Sequence, residues 1–118
     1  MDAEAASPKI ERLKKRPDFL AAAKAAYAAR GSVLVQARHR ADGEPLIRVG
    51  FTATRKIGGA VVRNRAKRRL REAARALLPL YGKAGHDYVL IARGGVVTRP
   101  WGRLLDDVKS ALLSLAPT

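Results

Sequence analysis

The stretch RKIGGAVVRNRAKRRLREAAR, residues 55–75, decides the fold. Nine of its residues are basic (Arg55, Lys56, Arg63, Arg65, Lys67, Arg68, Arg69, Arg71 and Arg75), and Glu72 is its one acid. Val62, Ala66, Leu70, Ala73 and Leu77 fall at i, i+4, i+8, i+11 and i+15, a single apolar stripe at the helical period of about 3.6. Asn64, Lys67, Arg68, Arg71 and Arg75 recur at the same spacing on the opposite side. The pattern predicts a helix from about Val61 to Leu78 that presses one face into a core and offers the other as a cationic ridge. A merely solvated helix face mixes charges of both signs at i, i+4 spacing. Here the sign is nearly uniform, which is the pattern of a surface that neutralises phosphates. Gly58 and Gly59 precede the helix, where the chain must turn and where backbone amides can approach a phosphate.

On the N-terminal side of this helix, Leu46 to Thr54 alternates Val49, Phe51 and Ala53 against Gly50, Thr52 and Thr54. It predicts a strand with one apolar face and one small, hydroxylated face. The second face could be a floor for an extended ligand or ordinary solvent-facing surface, and alternation alone leaves both open. On the C-terminal side, Pro79 is expected to end regular structure, and DYVLIAR (Asp87 to Arg93) reads as a central strand apolar on both faces. A helix between two such strands makes a βαβ unit. Further out, Ser32 to Arg38 reads as another strand, and Asp42-Gly43 lies in a turn as the strongest hairpin dipeptide present. Trp101, Leu104, Leu105, Val108, Leu112 and Leu115 define a closing helix begun by Pro100, with Asp106 and Asp107 off the stripe as solvated partners for Lys109 or Arg103. At the other end Pro17 and Asp18 start a helix whose stripe is Phe19, Ala23, Ala26 and Tyr27, stopped by Gly31. Residues 1–9 read as a disordered leader and 10–116 as one domain. The expected order is α-β-β-α-β-α with room for one more short strand, an α+β fold built as a single-domain α-β sandwich.

Composition sets the class of partner. The chain has 118 residues, 47% of them apolar, with a formal charge of +14 and a pI near 11.3. Self-repulsion on this scale calls for a polyanionic partner. Nucleic acid fits better than membrane, because no apolar run approaches the roughly 20 residues of a span and no segment has the layout of an export signal. There is no cysteine, so disulfides and thiolate metal sites are excluded and the cytoplasm is the expected location.

A catalytic constellation is hard to assemble from the side chains. His39 and His86 each stand at a strand end without a second motif member nearby. The adjacent carboxylates Asp106 and Asp107 would point about 100° apart on a helix, which does not make a two-metal site. RKIGGA lacks the spacing of a phosphate-binding P-loop. A nuclease acting alone is therefore disfavoured. If hydrolysis occurs, another molecule performs it.

VVRNRAKRRLREAAR resembles the Arg-Asn-Arg signature of the bacterial ribonuclease P protein subunit. RLKKRPDF (Arg12 to Phe19), VGFTATRKIGGA (Val49 to Ala60) and DYVLIAR are similar to that family's other segments, in the right order. The likeness runs from about Ile10 to Leu115. It implies an RNA-binding subunit of a ribonucleoprotein endonuclease that removes the 5′ leader from precursor tRNA. Catalysis would come from the RNA subunit and the Mg²⁺ it holds, with the protein alone a monomer. It also implies a fold similar to the second domain of ribosomal protein S5, with a left-handed βαβ crossover that ordinary topology rules would not suggest. Carried over by position, Thr54, Arg55, Lys56, Arg63, Asn64, Arg65, Lys67, Arg68 and Arg71 would contact the RNA subunit. Phe19, Lys14, Lys15 and Phe51 would hold the single-stranded leader in a cleft between the first helix and the sheet. Ala23 and Val35 stand where some relatives have aromatic residues, and Arg69 lies near the apolar stripe, where its stem can pack and its head pair locally. The competing reading from another class is a ribosomal or ribosome-assembly protein that binds rRNA, since related folds host both.

Overall fold

The computed structural model describes residues 9–116. Its elements are β1 (Ile10–Arg12), α1 (Arg16–Ala23), β2 (Ala26–Arg30), β3 (Val33–His39), β4 (Ile47–Thr52), a single 3-10 turn at Arg55–Ile57, α2 (Ala60–Tyr81), β5 (His86–Ala92) and α3 (Trp101–Leu115). The strands form one mixed sheet in the order β1-β4-β5-β3-β2. β4 lies parallel to both β1 and β5, while β3 runs antiparallel to β5 and to β2. β5 is central, which is why its sequence is apolar on both sides.

The two faces of the sheet are covered unequally. Val33, Val35 and Ala37 of β3, Ile47, Val49 and Phe51 of β4, and Tyr88, Leu90 and Ala92 of β5 turn to one side. There they meet Ala66, Leu70, Ala73 and Leu77 of α2 and Leu104, Val108 and Leu112 of α3. This is the main core, and each fully buried Leu or Val in it contributes roughly 1.5–3 kcal/mol. The opposite side carries only α1, packed through Phe19 and Ala22 with Leu13 onto Val89 and Ile91.

Several expectations need correction. The first helix ends at Ala23, and Ala26–Arg30 is a strand paired with β3, Tyr27 lying opposite Gln36. Alanine's helical propensity loses to the hydrogen bonds offered by the edge of β3. Gly31, at φ +50°, makes the turn between those strands instead of stopping a helix. The basic patch before Pro17 contains β1, the edge strand beside β4. Pro79 does not end α2, which runs on to Tyr81; Pro79 is exposed, so water can take the bond that its missing N–H cannot make. The turn at Asp42-Gly43 does not close a hairpin, because β5 lies between β3 and β4.

Asp107 is the clearest departure, since it is a buried anchor and not a solvated partner of Lys109 or Arg103. Its carboxylate accepts from Arg99 at 2.9 and 3.0 Å and from the Ser32 amide at 3.3 Å, tying α3 to the loop before it and to the β2–β3 turn.

On the α1 side, one end of the sheet is held by charge. Arg48 and Arg38 flank Asp87 on neighbouring strands, and Asp87 is 0% exposed. Arg48 donates to both Asp87 oxygens, Nε at 2.8 Å and Nη2 at 2.7 Å, and Arg40 donates from Nη1 at 2.9 Å. Arg38 lies 3.6 Å away. Asp18 of α1 completes the cluster at 3.2 Å from Arg48 and 3.7 Å from Arg38. Hydrogen bonding to Asp87 pushes the Arg48 guanidinium above its ordinary value, against the cost of burial.

Asp87→Asn would leave three guanidinium groups around a neutral amide. Removing one partner of a buried pair typically costs about 3–5 kcal/mol, and a loss in that range is expected by urea or thermal unfolding. Asp106→Asn, on the exposed side of α3, is the control and should stay within about 0.5 kcal/mol of the parent.

Candidate nucleic-acid interface

Because α2 buries Ala66, Leu70, Ala73, Ala74, Leu77 and Leu78, its other sides are left to its cations. Asn64, Arg65 and Arg68 are exposed, while Arg63, Lys67 and Arg71 are half-buried. Arg55 and Lys56 are exposed on the 3-10 turn that leads into the helix, and Thr54 is exposed just before it. Gly58, at φ +147°, reverses the chain there, and its carbonyl accepts from Arg63 Nη1 at 3.1 Å. All nine residues assigned to RNA contact thus fall on this turn and the helix it opens. The helix's only acid, Glu72, is engaged by Arg75 at 3.0 Å. The ridge therefore carries charge that the described residues do not balance.

Arg69 behaves differently from its neighbours. Its guanidinium donates to the carbonyls of Val96, Val97 and Arg99 and lies 5.7 Å from the centroid of the Trp101 ring. It clamps the loop between β5 and α3 onto α2, the local pairing that its place beside the apolar stripe predicts.

The α1 side of the sheet brings together a second set. Gly50, Val89, Gln36 and Tyr27 form one row across β4, β5, β3 and β2. The Phe19 ring lies on Gly50 so closely that a methyl group there would come within 2.6 Å of it. The next row, Thr52, Ile91, Leu34 and Ala29, is only partly covered and leads along the chain into Thr54, Arg55 and Lys56. Lys14 and Lys15 are exposed at the entrance to α1.

Phe51 is not part of this set. It faces the α2 side, 9% exposed, under the Arg12 guanidinium at 5.6 Å. Alternation along β4 requires this, since Phe51 and its neighbour Gly50 point to opposite faces. Val35 likewise faces the main core at 0% exposure, so a ring at that position would not reach the α1 side. Ala23 is exposed at the last turn of α1. The ring that does stand free here is Tyr27, 66% exposed on an edge strand. The sequence reading missed it by placing Tyr27 on a buried helical stripe. A lone aromatic among alanines carries too little alternation to announce a strand.

Other chemistry is sparse. His39 and His86 are cross-strand partners whose rings stack at 4.9 Å, and His86 Nδ1 lies 3.0 Å from the Ala84 carbonyl. Among the described residues, no three His, Cys, Asp or Glu side chains gather as a metal cage, and no helix is long and apolar enough to cross a membrane.

Comparison with known proteins identifies relatives across nearly the whole chain. The sequence model of the family described as Ribonuclease P matches residues 7–116. A ribonuclease P protein component from Caulobacter vibrioides is 69% identical over 108 residues, covering 92% of this chain and 72% of the relative. One from Ruegeria pomeroyi is 56% identical over 112 residues, covering 93% and 90%. Among solved structures, the ribonuclease P protein of Thermotoga maritima aligns with a TM-score of 0.75 at 26% identity, over 90% of this chain and 98% of that one. The Staphylococcus aureus protein aligns with a TM-score of 0.72 at 25% identity, over 87% and 93%.

The contrast between Arg68 and Arg69 gives a direct test of the ridge. Arg68→Ala should leave the melting temperature unchanged and make the log–log salt dependence of RNA binding shallower by about one unit. Arg69→Ala should do the reverse, losing about 2–3 kcal/mol of stability with its carbonyl partners while leaving the salt slope alone. Filter binding at several salt concentrations, with melting curves, measures both.

Proposed function

The chain belongs to the bacterial ribonuclease P protein family, and from that premise we propose that it binds the RNA subunit along α2 and the 5′ leader of precursor tRNA on the α1 side of the sheet. It is the protein component of an endoribonuclease and works with the ribonuclease P RNA. In our reading the RNA cleaves and the protein positions. The observation that carries this is the unbalanced ridge of Arg63, Asn64, Arg65, Lys67, Arg68 and Arg71, continuous with Thr54, Arg55 and Lys56. Phosphates along an RNA strand supply the missing counter-charge, and helix-borne arginines hold them in register.

The leader reading rests on the partly covered row Thr52, Ile91, Leu34 and Ala29, with Phe19 over one end of the adjacent row and Tyr27 at the other. A single strand needs basic groups for its backbone and π-faces for its bases. Lys14 and Lys15 offer the first and Tyr27 the second. Phe19, pressed onto Gly50, shapes the cleft more than it stacks. Phe51 has no part in this site.

The described acidic groups do not fit a catalytic Mg²⁺. Asp18, Asp87 and Asp107 are each committed to arginines, and the described carboxylates form no cage. We assign the metal to the RNA. The free chain is taken as a monomer in the cytoplasm, a reducing compartment that suits a sequence without cysteine.

Two measurements test this. The chain alone should leave precursor tRNA intact in Mg²⁺ and should support processing at physiological salt once the RNA subunit is added; cleavage by RNA-free protein would overturn the assignment. Tyr27→Ser should keep the melting temperature, because the ring is exposed. It should lower the ratio of precursor to mature tRNA affinity of the assembled particle by about 5-fold or more, the loss of one stacked base. An unchanged ratio would remove the leader from this face.

A further inference from the structure

A groove opens on the far side of the sheet from α1, where edge strand β1 meets the C-terminal half of α2. It encloses about 410 Å³, a size typical of small-molecule sites. Ile10, Val49 and Phe51 line it from the sheet, and Ala74, Leu78 and Pro79 line it from the helix. Three arginines complete it, Arg12, Arg71 and Arg75, with Glu11 as the one acid.

The arginines differ in how they are held. Arg75 is paired with Glu72. Arg12 lies 5.6 Å from the centroid of the Phe51 ring. Arg71 is half-buried, and its Nε is buried with no hydrogen-bond partner among the described residues. Arg71 also lines the groove as a cation for which no ion pair is seen among the described residues, so an anionic acceptor suits the space beside it. Apolar walls, a guanidinium beside an aromatic ring and a second cation on the rim together match a nucleobase and its phosphate.

We propose that this groove receives an unstacked nucleotide of the ribonuclease P RNA, its base between β1 and α2 and its phosphate on Arg71. The inference rests on the reading of α2 as the RNA face. Arg71 belongs to both surfaces, one helical turn beyond Lys67 and Arg68, so a strand following the ridge arrives at the groove. The precursor leader is not the occupant, because the sheet separates the groove from the α1 side.

Ala74→Met would fill the slot without removing a cation. It should weaken binding of the RNA subunit by about 10-fold and leave the salt slope unchanged, whereas Arg68→Ala should alter that slope. A parallel measurement adds adenosine monophosphate, or inorganic phosphate alone, to the isotope-labelled full chain. The nucleotide should shift the amide resonances of Arg12, Phe51, Ala74 and Leu78, and phosphate alone should shift them far less. This titration decides the matter if Ala74→Met melts early. Shifts confined to Phe19 and Tyr27, no shifts at all, or a well-folded Ala74→Met that binds RNA normally would overturn the proposal. So would a loss confined to precursor tRNA, which would give the groove to the substrate. If Arg68→Ala leaves RNA affinity and salt slope untouched, the reading of α2 itself fails. If Arg68→Ala behaves as expected while Ala74→Met and the titration do not respond, only the groove fails.

Discussion

Asp87 is the residue on which this chain's ability to fold around so much positive charge depends. Arg48 and Arg38 approach it from the two strands beside β5, and Arg40 reaches it from just beyond β3. One fully buried carboxylate thereby holds the three neighbouring strands β4, β5 and β3 together at one end, and Asp18 brings α1 down on the same cluster. Hydrogen bonds of 2.7 to 2.9 Å from Arg48 and Arg40 meet the condition under which burying charge is tolerable, since both carboxylate oxygens are occupied. Asp107 does the same for α3 on a smaller scale, through Arg99 and the amide of Ser32.

These contacts set one group of arginines apart from the cations of the α2 surface. Arg38, Arg40, Arg48 and Arg99 are held by buried or half-buried carboxylates, and Arg69 by three backbone carbonyls. They serve the fold. Arg55, Lys56, Arg65 and Arg68 are exposed, and Lys67 and Arg71 half-exposed, on a surface whose one acid already serves Arg75. Nine of the chain's 24 lysines and arginines fall in residues 55–75 beside a single acid, so that stretch carries much of the chain's excess positive charge. Long-range attraction for a polyanion and a stable interior coexist because Asp87 and Asp107 neutralise the arginines that the fold buries, while the α2 surface keeps its charge.

The parts of this arrangement that repeat at a short period could be read from the sequence. The stripe from Val62 to Leu77 announced α2, the run Tyr88 to Ala92 announced the central strand, and Trp101 to Leu115 announced α3. Strands β1 and β2 were not announced. The first is three residues long, and the second has among its five residues three alanines, whose local preference is helical. Pairing with β4 and β3 creates them, and pairing is a tertiary fact. The Asp87 cluster was hidden for the same reason, since its members lie 39 and 47 residues apart along the chain. Phe51 was a different failure. The alternation of β4 already set it opposite Gly50, so its assignment to the same cleft as Phe19 conflicted with the period of the strand.

On the proposed function, the uncompensated cations of α2 and the turn before it meet the RNA subunit. Lysine acetylation footprinting of the free chain and of the assembled particle, read by mass spectrometry, tests it without altering a residue. Lys56 and Lys67 should lose reactivity when the RNA subunit binds. Lys109, which lies 5.3 Å from the centroid of the Tyr81 ring, and the exposed Lys83 should stay reactive. Lys14 and Lys15 should become protected only when precursor tRNA carrying a leader is added. Protection of Lys83 and Lys109 by the RNA subunit, with Lys56 and Lys67 still reactive, would contradict the account.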